Sequence, residues 1–387
     1  MRVAHLVKTA IGATWALEEM ICQKKHGLDV VAVLPGDGPL LEAYERNAIA
    51  TVFLDLGLAS LIRGGASVRS RARSILSELN ADVLHSHFVQ TTLAARMLMG
   101  RHNGPPRVFQ VAGPLHLESP LTRSLDVATA SDRDFWVPAC ELSRRLLLRA
   151  GVPAQKMSLV YHGIRSDRFR SQVRGKLRKE LGLDNQTPVI GMVAYMYAPK
   201  YLLGQRRGLK GHEDLIDAVA LLKPPFDKAV CVFVGGPWGQ SANSYAARVM
   251  KYGKSRLGSR AHFLGTRSDV QEIYADVDVA VHPSHSENLG GAVESMMMSR
   301  PTITTNIGGF PDIVVAGKTG WLVPAMNPSE LAKTITSVLA DLGQATKIAQ
   351  EGRRYVEAKL EIDGQTKKMI KFYEQVQAGS NTISRAA

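Results

Sequence analysis

Residues 279–313 read VAVHPSHSENLGGAVESMMMSRPTITTNIGGFPDI, and this stretch decides the fold of the second half of the chain. The apolar run Val277–Val281 predicts a strand that leads into a polar loop, His282–Asn288. A glycine pair, Gly290–Gly291, then opens a helix, and a second short strand follows at residues 301–305. Open parallel sheets bind ligands at the carboxyl ends of their strands, so the polar residues gathered there predict a binding site.

Length, charge and cysteine usage restrict the class of protein. A chain of 387 residues is expected to form two domains, and its formal net charge of +13 suggests an anionic partner such as an acidic membrane surface or a phosphorylated substrate. The scattered Cys22, Cys140 and Cys231 indicate neither a disulfide framework nor a zinc site. Without a signal peptide or a run of roughly 20 apolar residues, we expect a cytoplasmic protein that can lie on the inner face of the membrane.

The N-terminal half begins with a β-α-β pattern. Strands are predicted at Val3–Val7 and Val30–Leu34, joined by a helix over Thr14–Lys25, and this order requires a parallel sheet. The loop at Gly12 opens onto that helix, where backbone N–H groups can face a phosphate, although packing of the turn explains the glycine equally well. The last strand of this half is predicted at Met157–Tyr161.

Basic and histidine-containing segments of this half suggest further contacts. A helix predicted over Leu61–Leu79 is rich in arginine, and its basic face suits either an anionic bilayer or solvent. His85 and His87 point the same way from a predicted strand, but without a third ligand in view we favour hydrogen-bonding roles over metal binding. His116 lies in a Gly/Pro-rich loop after the strand Arg107–Val111, at the edge where substrates meet such a sheet.

The second half repeats the alternation of strands and helices. A polar, charged segment, Arg165–Pro188, separates it from the first half. A basic loop is predicted over Tyr195–Leu209, and a terminal helix over Gln365–Gln377 with a disordered tail after it. Both halves fit the α/β class with two doubly wound sheets. Neither half contains a GxGxxG motif, which argues against a nicotinamide or flavin enzyme.

Several short motifs of the second half have a specific order and spacing. They are Gly191–Ala194, Lys210–His212, Val234–Gly236, Phe263–Gly265, Asp269, Pro283–Glu287, Glu294–Met296, Pro301, Gly308–Gly309, Asp312 and Gly317–Gly320. In this pattern the chain resembles the retaining GT-B glycosyltransferases of family 4, also called glycosyl transferases group 1. The resemblance implies two Rossmann-like domains facing a central cleft: residues 1–165 for the acceptor, residues 175–362 for the nucleotide sugar, and a terminal helix, 363–378, that crosses back to the first domain.

The resemblance also implies a role for each member of the site. Glu287 accepts hydrogen bonds from the donor sugar, Glu294 accepts them from the ribose, and Lys210 meets the diphosphate as a point charge. The helix that opens at Gly290 and Gly291 offers backbone N–H groups to the other phosphate. The remaining donor-binding candidates are Asn288 and Leu289 at the helix opening, and Arg267 and Ser268 in the loop expected to read the base.

One departure from the family pattern concerns the paired glutamates. The family usually separates its glutamates by seven residues, whereas six residues lie between Glu287 and Glu294. The loop is thus one residue shorter, and Ser286 can stand in for Glu287 at the sugar.

Two other departures concern positive charge and histidine. Tyr195 stands where the family often has an arginine, and we expect Arg206 or Arg207 of the following loop to reach the phosphates instead. Ala112 stands where the family usually has a histidine, and we transfer the sugar-contacting, catalytic role of that histidine to His116.

The resemblance implies transfer of a sugar from a nucleotide diphosphate sugar to an acceptor hydroxyl with retention, the reaction of a retaining hexosyltransferase. The family does this without a metal or other cofactor, and the leaving phosphate helps to deprotonate the acceptor. A basic first domain suits a glycan or lipid-linked acceptor at an anionic membrane surface, so we expect a role in capsule, exopolysaccharide or lipopolysaccharide biosynthesis. The alternatives are a GT-B-fold nucleotide-sugar epimerase and a non-catalytic sugar-nucleotide-binding protein. A nucleic-acid partner is not expected, because no clustered aromatic and basic motif is present.

Overall fold

The computed structural model describes residues 1–170, 172–201 and 204–386, which form two compact units. The first unit comprises residues 1–164 together with the segment that begins at Leu360, and the second unit comprises Arg165–Lys359. Part of the predicted loop Tyr195–Leu209, residues 202 and 203, lies outside the described residues. The charged segment that begins at Arg165 therefore belongs to the second unit.

The first unit is built on a parallel sheet of six strands. The strands are β1 (Arg2–Leu6), β2 (Asp29–Leu34), β3 (Ala50–Phe53), β4 (Val83–Ser86), β5 (Arg107–Val111) and β6 (Asp134–Pro138). The helices are α1 (Thr14–Lys25), α2 (Leu41–Arg46), α3 (Leu58–Arg63), α4 (Gly65–Glu78), α5 (Val89–Met99), α6 (Leu115–Glu118), α7 (Pro120–Ala128) and α8 (Glu141–Arg149). The strand order β3-β2-β1-β4-β5-β6 is that of a doubly wound fold.

The second unit repeats this architecture. Its strands are β7 (Val189–Val193), β8 (Val230–Val234), β9 (Ala261–Phe263), β10 (Val279–His282), β11 (Thr302–Thr305) and β12 (Trp321–Val323). Its helices are α9 (Lys176–Leu181), α10 (His212–Ala220), α11 (Asn243–Leu257), α12 (Val270–Asp276), α13 (Gly290–Met297), α14 (Phe310–Ile313), α15 (Pro328–Ala340) and α16 (Leu342–Leu360), the last of which ends in the first unit. The order β12-β11-β10-β7-β8-β9 is the same doubly wound arrangement, so the predicted fold class is confirmed.

A C-terminal helix, α17 (Ile362–Ala386), completes the first unit. It packs against α1, and its Met369, Phe372 and Tyr373 are buried in the same core as strands β1 and β2. Burial of a large apolar side chain stabilises a fold by about 1.5–3 kcal/mol. The helix is therefore an integral part of the first unit, and the predicted disordered tail after Gln377 is wrong as far as Ala386.

One strand prediction in the first unit was wrong, and one strand was not predicted. The segment Met157–Tyr161 is not a strand, because only Met157 forms a bridge, to Trp136. The segment runs beside the end of β6, where Pro138 has no N–H to donate to a further ladder. The sixth strand is instead β3, which the sequence pattern did not indicate.

Helical predictions also need correction. The single helix predicted over Leu61–Leu79 is divided between α3 and α4, because Gly65 adopts a left-handed φ of +67°. The segment predicted as a loop around His116 contains the short helix α6. Within the described parts of the chain, no helix is both long and apolar enough to cross a membrane.

Candidate functional site

A cavity of about 300 Å³ opens at the carboxyl end of the second sheet. It lies where β7 and β10 are neighbours, the position at which the winding of the sheet changes direction and ligands bind in such folds. The residues that line it are Met192, Val193, Ala194, Tyr195, Tyr197, Lys210, Val234, Gly235, Thr266, Arg267, Val270, His282, Ser284, Glu287, Gly291 and Glu294. The predicted Lys210, Arg267, Glu287, Gly291 and Glu294 therefore lie together in one cavity.

Lys210 and Glu287 form an ion pair at the cavity wall. The Lys210 ammonium, on the loop that precedes α10, donates to the Glu287 carboxylate on the loop that follows β10. Their side chains are only 15% and 12% exposed. The ammonium also lies 5.4 Å from the centroid of the Tyr197 ring, a distance that allows a cation–π interaction. A cation is thus held beside the cavity by a carboxylate that a ligand can replace.

Glycines fix the loop that carries Glu287. Gly308 has a φ of +59°, and a Cβ atom there would lie 1.8 Å from the carbonyl oxygen of Glu287. The N–H of Gly309 donates to that same oxygen over 3.2 Å. Gly211, next to Lys210, has a φ of +74°, and a Cβ would lie 2.0 Å from the carbonyl oxygen of Pro283. Only glycine permits these approaches, so both charged residues are positioned by backbone contacts.

Helix α13 brings its first residues and Glu294 to the cavity. Gly290 has a φ of +44°, and a Cβ on Gly291 would lie 2.7 Å from the carbonyl oxygen of Val193, so this helix end lies close to β7. The Glu294 side chain is exposed to the cavity, but the surrounding protein desolvates the carboxyl and raises its pKa above the ordinary value. The N–H groups of this helix start and a carboxyl oxygen one turn later can bind neighbouring groups of one ligand.

Two buried histidines near the cavity were not predicted as site residues. His282, the last residue of β10, lines the cavity, and its Nε2 lies 3.1 Å from the Ser295 hydroxyl. Burial, with a smaller effect from Lys210, lowers the pKa of His282 to about 3. Burial likewise lowers the pKa of His212 to about 4. Both rings are therefore neutral at pH 7. For His282, the signal in the sequence was its position directly at the end of an apolar strand.

Three aromatic side chains form a cluster at the mouth of the cavity. The ring of Trp238 lies 5.0 Å from that of Tyr195 and 5.6 Å from that of Tyr197. Tyr195 and Trp238 are 40% and 42% exposed. An aromatic surface thus takes the place of the arginine that the family often has at Tyr195.

The remaining candidates near α13 and β9 occupy different environments. Arg267 lines the cavity but is held by Asp269, at 2.8 Å, and by Glu180, at 2.8 Å. The two carboxylates raise the pKa of the Arg267 guanidinium. The sites of the other candidates are as follows: Ser268 is exposed, Leu289 is the buried N-cap residue of α13, and Asn288 is buried with its Oδ1 unpartnered among the described residues.

The structure does not bring Arg206 or Arg207 to the cavity at the end of the second sheet. Both line a separate cavity between α11 and the loop before α10. The Arg207 guanidinium is bound by Asp214, at 2.6 Å, and by Asp217, at 2.8 Å, and these carboxylates hold it on α10. Both arginines thus lie away from this cavity in the structure, and their contact with the phosphates stays a prediction. Lys210, in contrast, lines the cavity, and its carboxylate partner there is Glu287.

Two candidates lie in the first unit. Gly12 is in the bend between β1 and α1, just before the left-handed Ala13 that caps α1. His116 lies on α6, where its Nε2 is 3.5 Å from the Asp126 carboxylate and its ring is 5.4 Å from the ring of Phe109. The sugar-contacting role of His116 remains a prediction.

Metal-ligating side chains are clustered elsewhere. Within residues 1–170, 172–201 and 204–386, two groups place three candidate ligands close together: His5, His85 and His87, and Cys22, His26 and Asp363. Both groups lie in the first unit, whereas the cavity described above lies in the second unit. The expectation that sugar transfer needs no metal is not tested by this arrangement.

Two family models match the chain in succession. The model described as Glycosyltransferase Family 4 matches residues 13–168, and the model described as Glycosyl transferases group 1 matches residues 175–355. A D-inositol 3-phosphate glycosyltransferase of Rhodococcus jostii is 27% identical over 222 residues, which cover 56% of this chain and 47% of the relative. The chain therefore spans about half the length of the curated relatives it matches.

Solved structures share the fold along nearly the whole chain. HepE of Anabaena, solved in complex with UDP and glucose, has a TM-score of 0.78 at 19% identity, covering 96% of this chain and 98% of HepE. WaaG, a glycosyltransferase involved in lipopolysaccharide biosynthesis, has a TM-score of 0.66 at 16% identity, covering 95% and 98%. At such identities the likeness establishes the fold alone. Because the two family models match in chain order on this fold, the protein belongs to the family 4 glycosyltransferases of group 1.

Proposed function

We propose that the protein transfers a sugar from a nucleotide diphosphate sugar to an acceptor hydroxyl, with retention of configuration at the anomeric carbon. The observation that carries this proposal is the pairing of Lys210 with Glu287 beside the glycine-lined start of α13. A nucleoside diphosphate needs a cation and preorganised N–H donors, and both are present at one cavity. The complex of HepE with UDP and glucose supports the same class of donor.

Binding of the donor requires an exchange of partners at Lys210. In the structure the ammonium is neutralised by Glu287, and a diphosphate oxygen would take the place of that carboxylate. The released carboxylate of Glu287 can then accept hydrogen bonds from hydroxyls of the sugar. The same carboxylate therefore holds the lysine before binding and orients the sugar afterwards. As negative charge grows on the leaving diphosphate, Lys210 and the N–H groups of α13 stabilise it.

Glu294 serves the ribose in this proposal. One turn into α13, its carboxylate accepts hydrogen bonds from the two ribose hydroxyls. No covalent nucleophile is required, because the leaving phosphate takes the proton of the acceptor hydroxyl on the same face of the sugar. The neutral His282 adds no charge to the cavity, and the Arg267 guanidinium is already bound by Asp269 and Glu180, which leaves Lys210 as the cation that responds to the leaving group.

The acceptor class is proposed from charge and from relatives. The chain carries a net charge of +13, and WaaG belongs to lipopolysaccharide biosynthesis, so we assign the protein to synthesis of a bacterial surface polysaccharide on a glycan or lipid-linked acceptor. The exposed Arg71 of α4 is the best-placed contact with an anionic membrane. Its neighbours Arg69 and Arg73 already donate to backbone carbonyls of Leu61 and Leu98.

A donor panel tests the proposal. Thermal unfolding is measured with UDP-, GDP- and ADP-sugars, and nucleotide release is followed in parallel. Saturation at about 100 times Kd should stabilise the fold by about 2.7 kcal/mol with one class of donor. Lys210→Ala should weaken that donor by about 30-fold or more, since loss of a largely buried charge partner costs about 2–5 kcal/mol.

Arg207→Ala is the matched control, because Arg207 is a cation of the same segment that faces another cavity. Its donor affinity should stay within about twofold of the wild-type value, while its thermal stability falls. Equal donor affinity of the wild type and Lys210→Ala, or a larger loss in the Arg207 variant, would remove Lys210 from the site. Failure of every donor to stabilise the protein would contradict the proposed reaction.

A further inference from the structure

Three buried imidazole rings meet at the carboxyl end of the first sheet. His5 lies on β1, His85 lies on β4 opposite it in register, and His87 follows β4 directly. All three side chains are fully buried. Strands β1 and β4 are the neighbours at which this sheet changes its winding direction, the position where doubly wound folds bind ligands. The third histidine that the sequence did not reveal is His5, supplied by a strand distant in sequence.

Each ring has one nitrogen within hydrogen-bond distance of a polar side chain that is not part of the histidine cluster. His5 Nε2 lies 2.9 Å from Gln23 Oε1, and His87 Nδ1 lies 2.9 Å from Gln110 Oε1. His85 Nδ1 is hydrogen-bonded to the Tyr373 hydroxyl of α17. Metal-ligating histidines in proteins typically have this arrangement, in which one ring nitrogen is held by an outer partner and the other faces the ion.

The orientation of the glutamines determines which ring nitrogens carry protons. The Gln23 amide nitrogen donates to the Glu19 carboxyl over 3.0 Å, and the Gln110 amide nitrogen lies 3.4 Å from His162 Nδ1. The carbonyl oxygens of both glutamines therefore face the rings, so His5 Nε2 and His87 Nδ1 must be the N–H donors. The tautomers are assigned from this hydrogen-bond network.

The inner nitrogens are consequently left with lone pairs. His5 Nδ1 and His87 Nε2 lie 2.8 Å apart, and in these tautomers neither carries a proton to share. His85 Nε2 is buried and has no hydrogen-bond partner among the residues that the structure describes. Two facing lone pairs repel each other, and a cation bound by both, with His85 Nε2 as a third nitrogen nearby, would relieve that repulsion.

We propose that His5, His85 and His87 bind one divalent transition-metal ion, of which Zn²⁺ fits best. One ring nitrogen from each lies within 4.8 Å of the others. Zinc–nitrogen bonds of about 2.0–2.1 Å at tetrahedral angles place ligand nitrogens roughly 3.4 Å apart, so His5 Nδ1 and His87 Nε2, now 2.8 Å apart, must separate slightly while the His85 nitrogen approaches them. Neutral imidazole is the form that binds metal, so no ligand has to lose a proton at pH 7. The ion would stabilise the first unit by joining β1, β4 and, through Tyr373, α17.

Glu19 supplies the negative charge that a buried dication needs. Its carboxyl lies 3.9 Å from His85 Nδ1 and accepts a hydrogen bond from the Gln23 amide. A nearby dication favours the ionised form of this carboxyl.

The competing arrangement has the Gln110 amide turned over. His87 would then donate from Nε2 to His5 Nδ1, the lone pairs would be satisfied, and no ion would bind. Metal titration of the full-length protein separates the two arrangements. The protein is stripped with a chelator and dialysed, and Zn²⁺ is added in competition with a chromophoric chelator. Co²⁺ is used in a second titration, because its visible absorption reports a tetrahedral nitrogen site.

One equivalent of tightly bound Zn²⁺ is expected, with a rise in the thermal unfolding temperature and a visible Co²⁺ spectrum. His85→Gln should weaken Zn²⁺ binding more than about 10-fold and abolish the spectrum, and Gln23→Leu should weaken it about 10- to 100-fold through the lost outer bond. His102→Gln is the matched control, since this histidine is 76% exposed and distant from the cluster, and its affinity should equal that of the wild type.

His26→Ala distinguishes the other candidate group, Cys22, His26 and Asp363. Loss of binding in His26→Ala with retention in His85→Gln would overturn the proposal, as would the absence of stoichiometric Zn²⁺ binding to the wild type. If His85→Gln does not fold, X-ray absorption spectroscopy on the zinc-loaded wild type identifies the ligands of the zinc ion instead. Three imidazole ligands support the site, and a thiolate or fewer than three imidazoles refutes it.

Discussion

Gly308→Ala should both destabilise the second unit and weaken donor binding. Gly308 has a φ of +59°, and its added Cβ would lie 1.8 Å from the carbonyl oxygen of Glu287. The obstructing atom belongs to the backbone and cannot rotate away. The methyl group must therefore push the loop that holds the Glu287 carboxylate against Lys210.

The magnitude follows from a comparison with Gly317→Ala. Gly317 has a φ of +70°, and a Cβ there has no heavy atom within 4 Å. In both variants an alanine must adopt the left-handed conformation, which destabilises the fold by about 1–2 kcal/mol. Only Gly308→Ala adds overpacking, which costs about 1–3 kcal/mol. For a unit of this size each kcal/mol lowers Tm by about 2–4 °C, so Gly308→Ala should unfold about 2–12 °C below Gly317→Ala.

Thermal unfolding of both variants, with donor titrations, measures these effects. Gly317→Ala should bind the nucleotide sugar like the wild type, whereas Gly308→Ala should bind it more weakly because Glu287 and Lys210 are displaced. If the two variants unfold at the same temperature and bind the donor equally, the close packing of the Gly308 turn on Glu287 does not position the site, and the reasoning fails.

The remaining predictions concern pH and the membrane. The pKa of Glu19 is raised from 4.5 to about 8, so this group's stabilisation is complete below pH 4.5 and is lost as pH rises to about 8, by at most about 1.4 kcal/mol per pH unit. With chelator present, the Tm of Glu19→Gln should therefore rise relative to the Tm of the wild type as the pH is raised from 5 to 8. A Tm difference between the two proteins that does not change with pH would contradict this. Arg71→Glu should reduce sedimentation with anionic vesicles, since each basic residue near such a surface contributes about 1 kcal/mol. Arg149→Glu, an equal charge change on α8, is the control, and equal losses in both would exclude a specific α4 contact.

The residues of the donor cavity that lie within one stretch could be predicted from the sequence. Glu287, Gly291 and Glu294 belong to consecutive strand, loop and helix segments, and such a unit places them at one edge of a parallel sheet whatever the order of the other strands. Their conformations have local causes as well, such as the left-handed φ of Gly290. The local sequence pattern was therefore sufficient to predict this part of the site.

Contacts between distant segments could not be predicted in the same way. The ion pair of Lys210 with Glu287 depends on the neighbouring positions of β7 and β10, and the pairing of His5 with His85 depends on the register of β1 against β4. Neither strand order nor register can be read from a single apolar pattern. The false strand at Met157–Tyr161 has the same origin, because its apolar spacing was suitable but β6 offered it no continuous ladder.

The position at which the sheet changes its winding direction has a different structure in each of the two units. In the second unit, glycine at the β7–β10 edge leaves space: a Cβ on Gly291 would lie 2.7 Å from the Val193 carbonyl oxygen, and a cavity of about 300 Å³ opens there. In the first unit, the corresponding β1–β4 edge is filled by the buried rings of His5, His85 and His87. The rings occupy this edge of the first sheet, whereas the equivalent edge of the second sheet is open. The same sheet order therefore accommodates a cavity in one unit and a buried histidine cluster in the other.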